Sequence, residues 1–254
     1  GVAFGGLRDL EILQELFGAT ITVLAFDTGE SLRKKILPTY KAGRRKELDE
    51  AGVEELRVFY EQIDRLKKNL LPLIGYKNIW EKPGYEADDI VAAAAQRIIT
   101  PDEAVIISAD NDLLQCIRRN IRFYNPSSKK QITLQSFLEQ RRINPEQWAS
   151  VKALAGCKSD NVPGIDGIGE KSATGWFSGA LKKGKKFDKI NANLDVMARN
   201  LPLVKLPYPG LVLPEIQEDE ITEAGKQAVW VELGIRSGRV RGVRSEKKVE
   251  GGFI

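Results

Sequence analysis

The chain is predicted to fold as an α/β protein with a largely parallel sheet, and three features carry that expectation. Two short apolar runs rich in β-branched residues, 20–26 (TITVLAF) and 104–108 (AVIIS), read as strands. Segments with apolar residues three or four apart alternate with them, as helices packed on a sheet do. The 254 residues correspond to one large domain or two small ones, either long enough to bury a core.

In chain order, residues 7–17 place Leu7, Leu10, Ile12, Leu13 and Leu16 at helical spacing and close at Gly18. The 20–26 strand, expected to be buried, stops at Asp27. A long helix is expected from Glu47 to about Leu73, because Val53, Leu56, Phe59, Ile63, Leu66 and Leu70 recur at helical spacing and Pro72 falls near its end. A further helix covers about Glu86–Ile98, ahead of the 104–108 strand. Then come a short helix near Leu113, paired strands near Ile121–Tyr124 and Gln131–Leu134, and helices near 135–142 and 145–155. From about Val151 to Leu181 the pattern is helical and punctuated by glycine, a candidate second subdomain. The proline-broken LPLVKLPYPGLVL (201–213) is expected as extended cover, and Arg236–Ile254 as a basic tail. The sequence carries no internal repeat.

Composition excludes whole reaction classes. There is no histidine, which removes Ser-His-Asp and Cys-His catalysis and any His-ligated zinc or haem. Two cysteines, Cys116 and Cys157, make neither a zinc cage nor a disulfide framework, so a reducing compartment is expected. The balance of 39 basic and 35 acidic residues, +4, is mildly basic. The longest apolar run, Ile90–Ala95, is far short of the ~20 residues of a membrane span, and Glu11 and Glu15 interrupt any signal-like start. A cytoplasmic protein with no membrane partner is expected. The single methionine is Met197 and the chain opens at Gly1, so an initiating segment is expected ahead of it.

Ligands of open α/β sheets bind beyond the carboxyl ends of the strands, and here both strands run into acids: Asp27 after the first, Asp110 and Asp112 (SADND) after the second. Glu86, Asp88 and Asp89 open the following helix, and Asp160 precedes a proline-glycine turn. Any one of these has an ordinary explanation as a helix cap or dipole partner. Jointly they exceed what capping requires, and converging carboxylates repel unless a hard cation sits among them. A basic block, Arg33, Lys34, Lys35, Lys41, Arg44, Arg45 and Lys46, holds Tyr40 and no acid. A charge run is usually a solvated face, but this one follows the strand ending in Asp27, which suits a phosphate backbone, with Tyr40 available to stack on a base. Residues 163–173 (PGIDGIGEKSA) have the wrong glycine spacing for a dinucleotide site. They suit a tight hairpin between helices, with Gly164, Gly167 and Gly169 allowing close backbone approach and Lys171 and Ser172 at a helix start able to meet a phosphate.

At YKAGR (40–44), GYEADDI (84–90), SADNDLLQ (108–115), NPEQWASVKALAG (144–156) and SDNVPGIDGIGEKSA (159–173), the sequence resembles the 5′-nuclease (flap endonuclease) superfamily. It is similar there to the 5′-nuclease domain of bacterial DNA polymerase I and to stand-alone bacterial and phage 5′-3′ exonucleases. The resemblance implies a PIN-like catalytic core over 1–150 with a helical arch at about 31–73, a helix-hairpin-helix subdomain and cover over 151–235, and the basic tail at 236–254. It also implies two Mg²⁺ or Mn²⁺ ions. Asp27, Glu86 and Asp88 would serve the first, Asp110, Asp112 and Asp160 the second, with Asp89 acting through water. Lys41 and Arg33 fall at the catalytic arch positions over the scissile phosphate, and Tyr40 and Arg44 where the arch holds the unpaired 5′ strand. The hairpin, Gly164 to Ser172, would hold duplex DNA and carry a K⁺ ion on backbone carbonyls. The implied partners are DNA 5′ ends, flaps or junctions and a DNA polymerase, with the protein a monomer in the cytoplasm of a bacterium or phage-infected host. Two departures stand out: Cys157 replaces an acid found in many bacterial members, and the family's first strand, which ends in a metal-binding Asp, is expected ahead of Gly1. A junction-binding protein with little catalysis, and then a PIN-type ribonuclease, are the alternatives.

Overall fold

The computed structural model describes residues 2–44 and 49–234. Arg45, Lys46 and Glu47, from the basic block and the start of the expected long helix, and the basic tail 236–254 lie outside the described residues. The helices are α1 (Val2–Phe17), α2 (Glu50–Arg65), α3 (Leu71–Ile74), α4 (Ala87–Arg97), α5 (Leu134–Arg141), α6 (Trp148–Ala155), α7 (Glu170–Phe177), α8 (Lys185–Asn191), α9 (Leu194–Val204) and α10 (Glu223–Glu232). The strands are β1 (Val23–Phe26), β2 (Asn78–Glu81), β3 (Ala104–Ile107), β4 (Ile121–Asn125), β5 (Lys130–Ile132), β6 (Gly156–Cys157) and β7 (Val162–Pro163).

The chain divides into two compact units, one of residues up to Thr22, Val53–Lys77 and Gln217 onward, the other of Val23–Gly52 and Asn78–Ile216. In the first, α1 ends at Gly18, whose φ of +62° is a left-handed stop suited to glycine. The expected helix 47–73 is helical without a break from Glu50 to Ile74: α2 passes through a π-type turn over Leu66–Leu70 into α3, so Pro72, which cannot donate, follows directly on the turn where the regular ladder is already interrupted. Its apolar stripe is not uniformly buried. Val53, Leu56 and Phe59 remain exposed, and burial begins at Leu66 and Leu70. Gly75, at φ +116°, faces the Glu220 carbonyl so closely that a Cβ would lie 2.0 Å from it.

The second unit carries the sheet. β1 and β2 are parallel, with Val23 opposite Asn78 and Phe26 opposite Glu81. β3 and β4 are also parallel, and β5 returns antiparallel to β4. The expected parallel α/β pattern is present, as two separate ladders among the described residues. β1 is half-buried along its length, less than expected, because its apolar residues are covered only in part. α4 packs on β1, β2 and β3. Ile106, Leu114, Phe123, Phe137, Trp148 and Leu154 form the main core, to which Ala173 of α7 and Ile190 of α8 also belong. The 201–213 stretch is extended only in part. Its first four residues finish α9, with Leu203 and Val204 buried against Tyr40, Ala153 and Val162. The remainder runs without regular structure and buries Leu213 beside Trp80, Ile90 and Ala94, as expected of cover.

Candidate active site

β1 ends at Phe26, so Asp27 emerges at the carboxyl edge of the sheet, exposed, where its Oδ1 accepts the Ala87 N–H at 2.8 Å and caps α4. Glu86 precedes that helix, and Asp88 and Asp89 occupy its first turn. Beyond β3, Asp110 is exposed and caps the 3₁₀ turn Asn111–Cys116 by accepting the Asp112 N–H at 2.8 Å. Burial pushes the Asp88 carboxyl up to about 7, and the negative charges of Asp110 and Asp27 push the same way. Three acids from three separate elements therefore crowd one another.

The other acids have cationic partners. Lys41, at φ +57°, places Nζ 2.8 Å from Glu86 Oε2 and donates its backbone N–H to the Asp160 carbonyl at 2.9 Å. Arg44 pairs with the Asp160 carboxylate and donates Nε–H to the Ser159 carbonyl at 3.3 Å. Asp112 lies 3.0 Å from Lys152, which also reaches Glu170 at 2.9 Å. Burial raises the Asp112 pKa, and Lys152 offsets part of that rise. Burial also raises that of Cys157, which stays a neutral thiol at pH 7 and is a poor ligand for a hard cation. Among the described residues, no three Asp, Glu, Cys or His side chains are grouped so as to hold a metal ion as they stand, Glu86, Asp112 and Asp160 each being turned to a cation instead.

Three expected positions are revised. Asp89, 0% exposed, takes a bidentate pair from Arg33, Nη1 to Oδ2 and Nη2 to Oδ1 at 2.7 Å each, and also accepts the Tyr208 N–H at 2.7 Å and the Glu86 N–H at 3.1 Å. Arg33 is itself 2% exposed and donates Nε–H to the Leu203 carbonyl at 2.9 Å. Both charges are saturated inside the unit, so Arg33 does not face a phosphate and Asp89 has no free oxygen to offer a water-bridged ion. Tyr40, expected to stack on a base, is buried among Ala153, Val162, Leu203 and Val204 and donates its O–H to Glu86 at 3.3 Å. Burial and the neighbouring Glu86 raise its pKa. The run of cations thus divides by depth, with Arg33 structural and Lys41 and Arg44 beside carboxylates.

In the hairpin, Ile165 and Ile168 are buried anchors, while Gly167 and Gly169 are exposed with open space where a side chain would sit. Gly169 is the N-cap of α7, and exposed Lys171 and half-buried Ser172 follow in its first turn. Gly164 instead approaches the chain itself, since a Cβ there would lie 2.2 Å from the Ala155 carbonyl carbon and 2.4 Å from the Gly156 nitrogen. Its lack of a side chain serves internal packing. Sequence reasoning missed Lys152, although NPEQWASVKALAG contains it. It also missed the Tyr208 N–H on Asp89, which no local pattern announces.

Residues 3–142 match the family model for the 5′-3′ exonuclease, N-terminal resolvase-like domain. The chain belongs to this family. It is 33% identical over 204 residues to the 5′-3′ exonuclease of Aquifex aeolicus, covering 80% of this chain and 66% of that protein. It is 32% identical over 199 residues to DNA polymerase I of Mycobacterium tuberculosis, covering 72% of this chain and 21% of the polymerase. The chain therefore spans about a fifth of the length of such polymerases. Among solved structures, a bacteriophage T5 flap endonuclease in a pseudo-enzyme–product complex with DNA and metal ions superposes with a TM-score of 0.67 at 25% identity, covering 81% of each chain. T5 5′-exonuclease with bound zinc gives 0.64 at 26% identity, again covering 81% of each chain. Among the described residues no helix is long and apolar enough to cross a membrane.

Proposed function

We propose that the chain is a structure-specific 5′-nuclease, hydrolysing DNA phosphodiesters at 5′ ends and flaps with two divalent ions. The observation that carries the reading is the convergence of Asp27, Asp88 and Asp110, from three separate elements, at the carboxyl edge of the parallel strands, where burial first and the charges of Asp110 and Asp27 next push the Asp88 carboxyl up to about 7. Hard oxygen donors that repel one another fit Mg²⁺ or Mn²⁺. Asp27, Glu86 and Asp88 would hold one ion, and Asp110, Asp112 and Asp160 the other. Such ions supply an activated water and neutralise charge on the leaving oxygen. The T5 relatives, one solved with DNA and metal ions and one with zinc, support the same reading.

In this reading Lys41 and Arg44, already beside the carboxylates, present positive charge to the phosphate undergoing cleavage. Residues 1–150 supply the catalytic core, with the arch at about 31–73. Residues 151–235 supply duplex binding, through Gly167, Gly169, Lys171 and Ser172 and a K⁺ ion on hairpin carbonyls. The protein acts as a monomer in the cytoplasm, beside a DNA polymerase. A second reading, a DNA-junction-binding protein with little catalysis, draws on the pairing of Glu86, Asp112 and Asp160 with Lys41, Lys152 and Arg44. A 3′-labelled 5′-flap duplex separates the two. Short products in Mg²⁺ and none in EDTA are expected, whereas a gel shift without products in either buffer would favour the binding protein.

A further inference from the structure

Lys152 is a cation to which the 5′-nuclease reading gives no task. Its helix is fixed to the turn that carries Asp112: the buried Trp148 donates its indole N–H to the Asn111 carbonyl at 2.8 Å, and Lys152 emerges one turn later on α6. The Lys152 and Asp112 side chains are only 11% and 15% exposed, so solvent screens their charges little. On one side Nζ donates to Glu170 Oε1 at 2.9 Å, in the first turn of α7. On the other it lies 3.0 Å from Asp112 Oδ1, in ion-pair contact but outside hydrogen-bond geometry. Among the described residues no donor hydrogen-bonds to Asp112 Oδ1, although that oxygen is buried. A lysine that only staples two carboxylates together would satisfy both. Here its hydrogen bond goes to Glu170, and a buried carboxylate oxygen keeps a lone pair open, which suits a hard cation.

Resting on the 5′-nuclease reading, we infer that Lys152 is a positioning residue that couples two events: ion binding at Asp112 and phosphate binding at the start of α7 each strengthen the other through this one shared lysine. A divalent ion at Asp112 repels Nζ toward Glu170. Glu170, once neutralised, no longer repels a phosphate arriving beside Lys171 and Ser172. A phosphate there draws Nζ the same way and uncovers Asp112. The coupling is reciprocal, as linkage requires, and needs a shift of one side chain only.

The test is a double-mutant cycle on the full chain: Lys152→Met, Glu170→Gln and both together. Two affinities are read, that for Mn²⁺ without DNA, from the free-ion spin-resonance signal, and that for a short duplex in EDTA. Glu170→Gln leaves Lys152 to Asp112 alone, so the weaker-binding Mn²⁺ is expected to lose about fivefold or more in affinity while duplex binds no worse. Lys152→Met is expected to act in opposite directions, with Mn²⁺ bound more tightly and duplex more weakly. In the Lys152→Met background, adding Glu170→Gln should leave Mn²⁺ affinity nearly unchanged, because the shared lysine is gone. A lysine that only holds α6 to α7 makes both affinities fall together in Lys152→Met, and that outcome overturns the coupling. An equal effect of Glu170→Gln with and without Lys152 also overturns it, since plain through-space charge is then enough. If Lys152→Met melts early, Glu170→Gln decides alone, and unchanged Mn²⁺ affinity overturns the coupling. If the wild type cleaves flaps but the cycle is additive, only the coupling falls. If the wild type neither binds Mn²⁺ nor cleaves, the 5′-nuclease reading falls with it.

Discussion

Replacing Asp110 with asparagine is expected to lower the single-turnover cleavage rate by about 10³-fold or more, because charge stabilisation by a bound metal is worth several kcal/mol and each ~1.4 kcal/mol is tenfold. The substitution is well matched to the local structure. Asp110 is exposed, and its Oδ1 caps the following turn through the Asp112 N–H. An asparagine carbonyl can accept the same hydrogen bond, so the turn survives while the negative charge is lost. Flap-duplex affinity in EDTA and the thermal midpoint should therefore stay near wild type. Unchanged turnover would remove Asp110 from the metal site. Loss of binding in EDTA to the same degree as cleavage would show that its role lies in holding DNA.

The second large effect is on stability. Arg33→Met removes the partner of a fully buried carboxylate, leaving Asp89 with only the Tyr208 and Glu86 N–H groups. Breaking one side of a buried ion pair costs about 3–5 kcal/mol. At roughly 2–4 °C per kcal/mol for a chain of this size, the midpoint should fall by about 6–20 °C. Adding Asp89→Leu should recover much of the loss, since the uncompensated charge is then gone. The sequence expectation that Arg33 sits over the scissile phosphate makes the opposite forecast, an unchanged midpoint with slowed cleavage. Melting Arg33→Met and the double variant side by side decides between them.

What the sequence revealed was what local pattern determines. The strands ending at Asp27 and before Asp110 follow from short β-branched runs, and the helix opened by Glu86 follows from spacing and capping chemistry. The hairpin was legible because Ile165 and Ile168 alternate with glycines that need no side-chain space. Depth was not legible. Arg33, Tyr40, Lys41 and Arg44 form one basic and aromatic block on paper, yet Leu203, Val204 and Tyr208, over 150 residues away in sequence, bury the first two and leave the others beside carboxylates. Gly164 misled for a related reason. A glycine admits close approach, but only the fold shows that the approaching backbone is the chain's own, at Ala155 and Gly156. Helix α2 shows the same limit from the other side, since helical spacing at Val53, Leu56 and Phe59 set the helix without burying those residues.

The most direct measurement is the initial rate of flap cleavage against Mg²⁺ concentration, well below saturation and with DNA in excess. Two ions held by the carboxylates at the strand ends require a logarithmic slope approaching two, and cleavage that vanishes in EDTA. Cleavage that persists in EDTA, or a slope that stays at one throughout, would contradict a site in which both groups of acids carry metal.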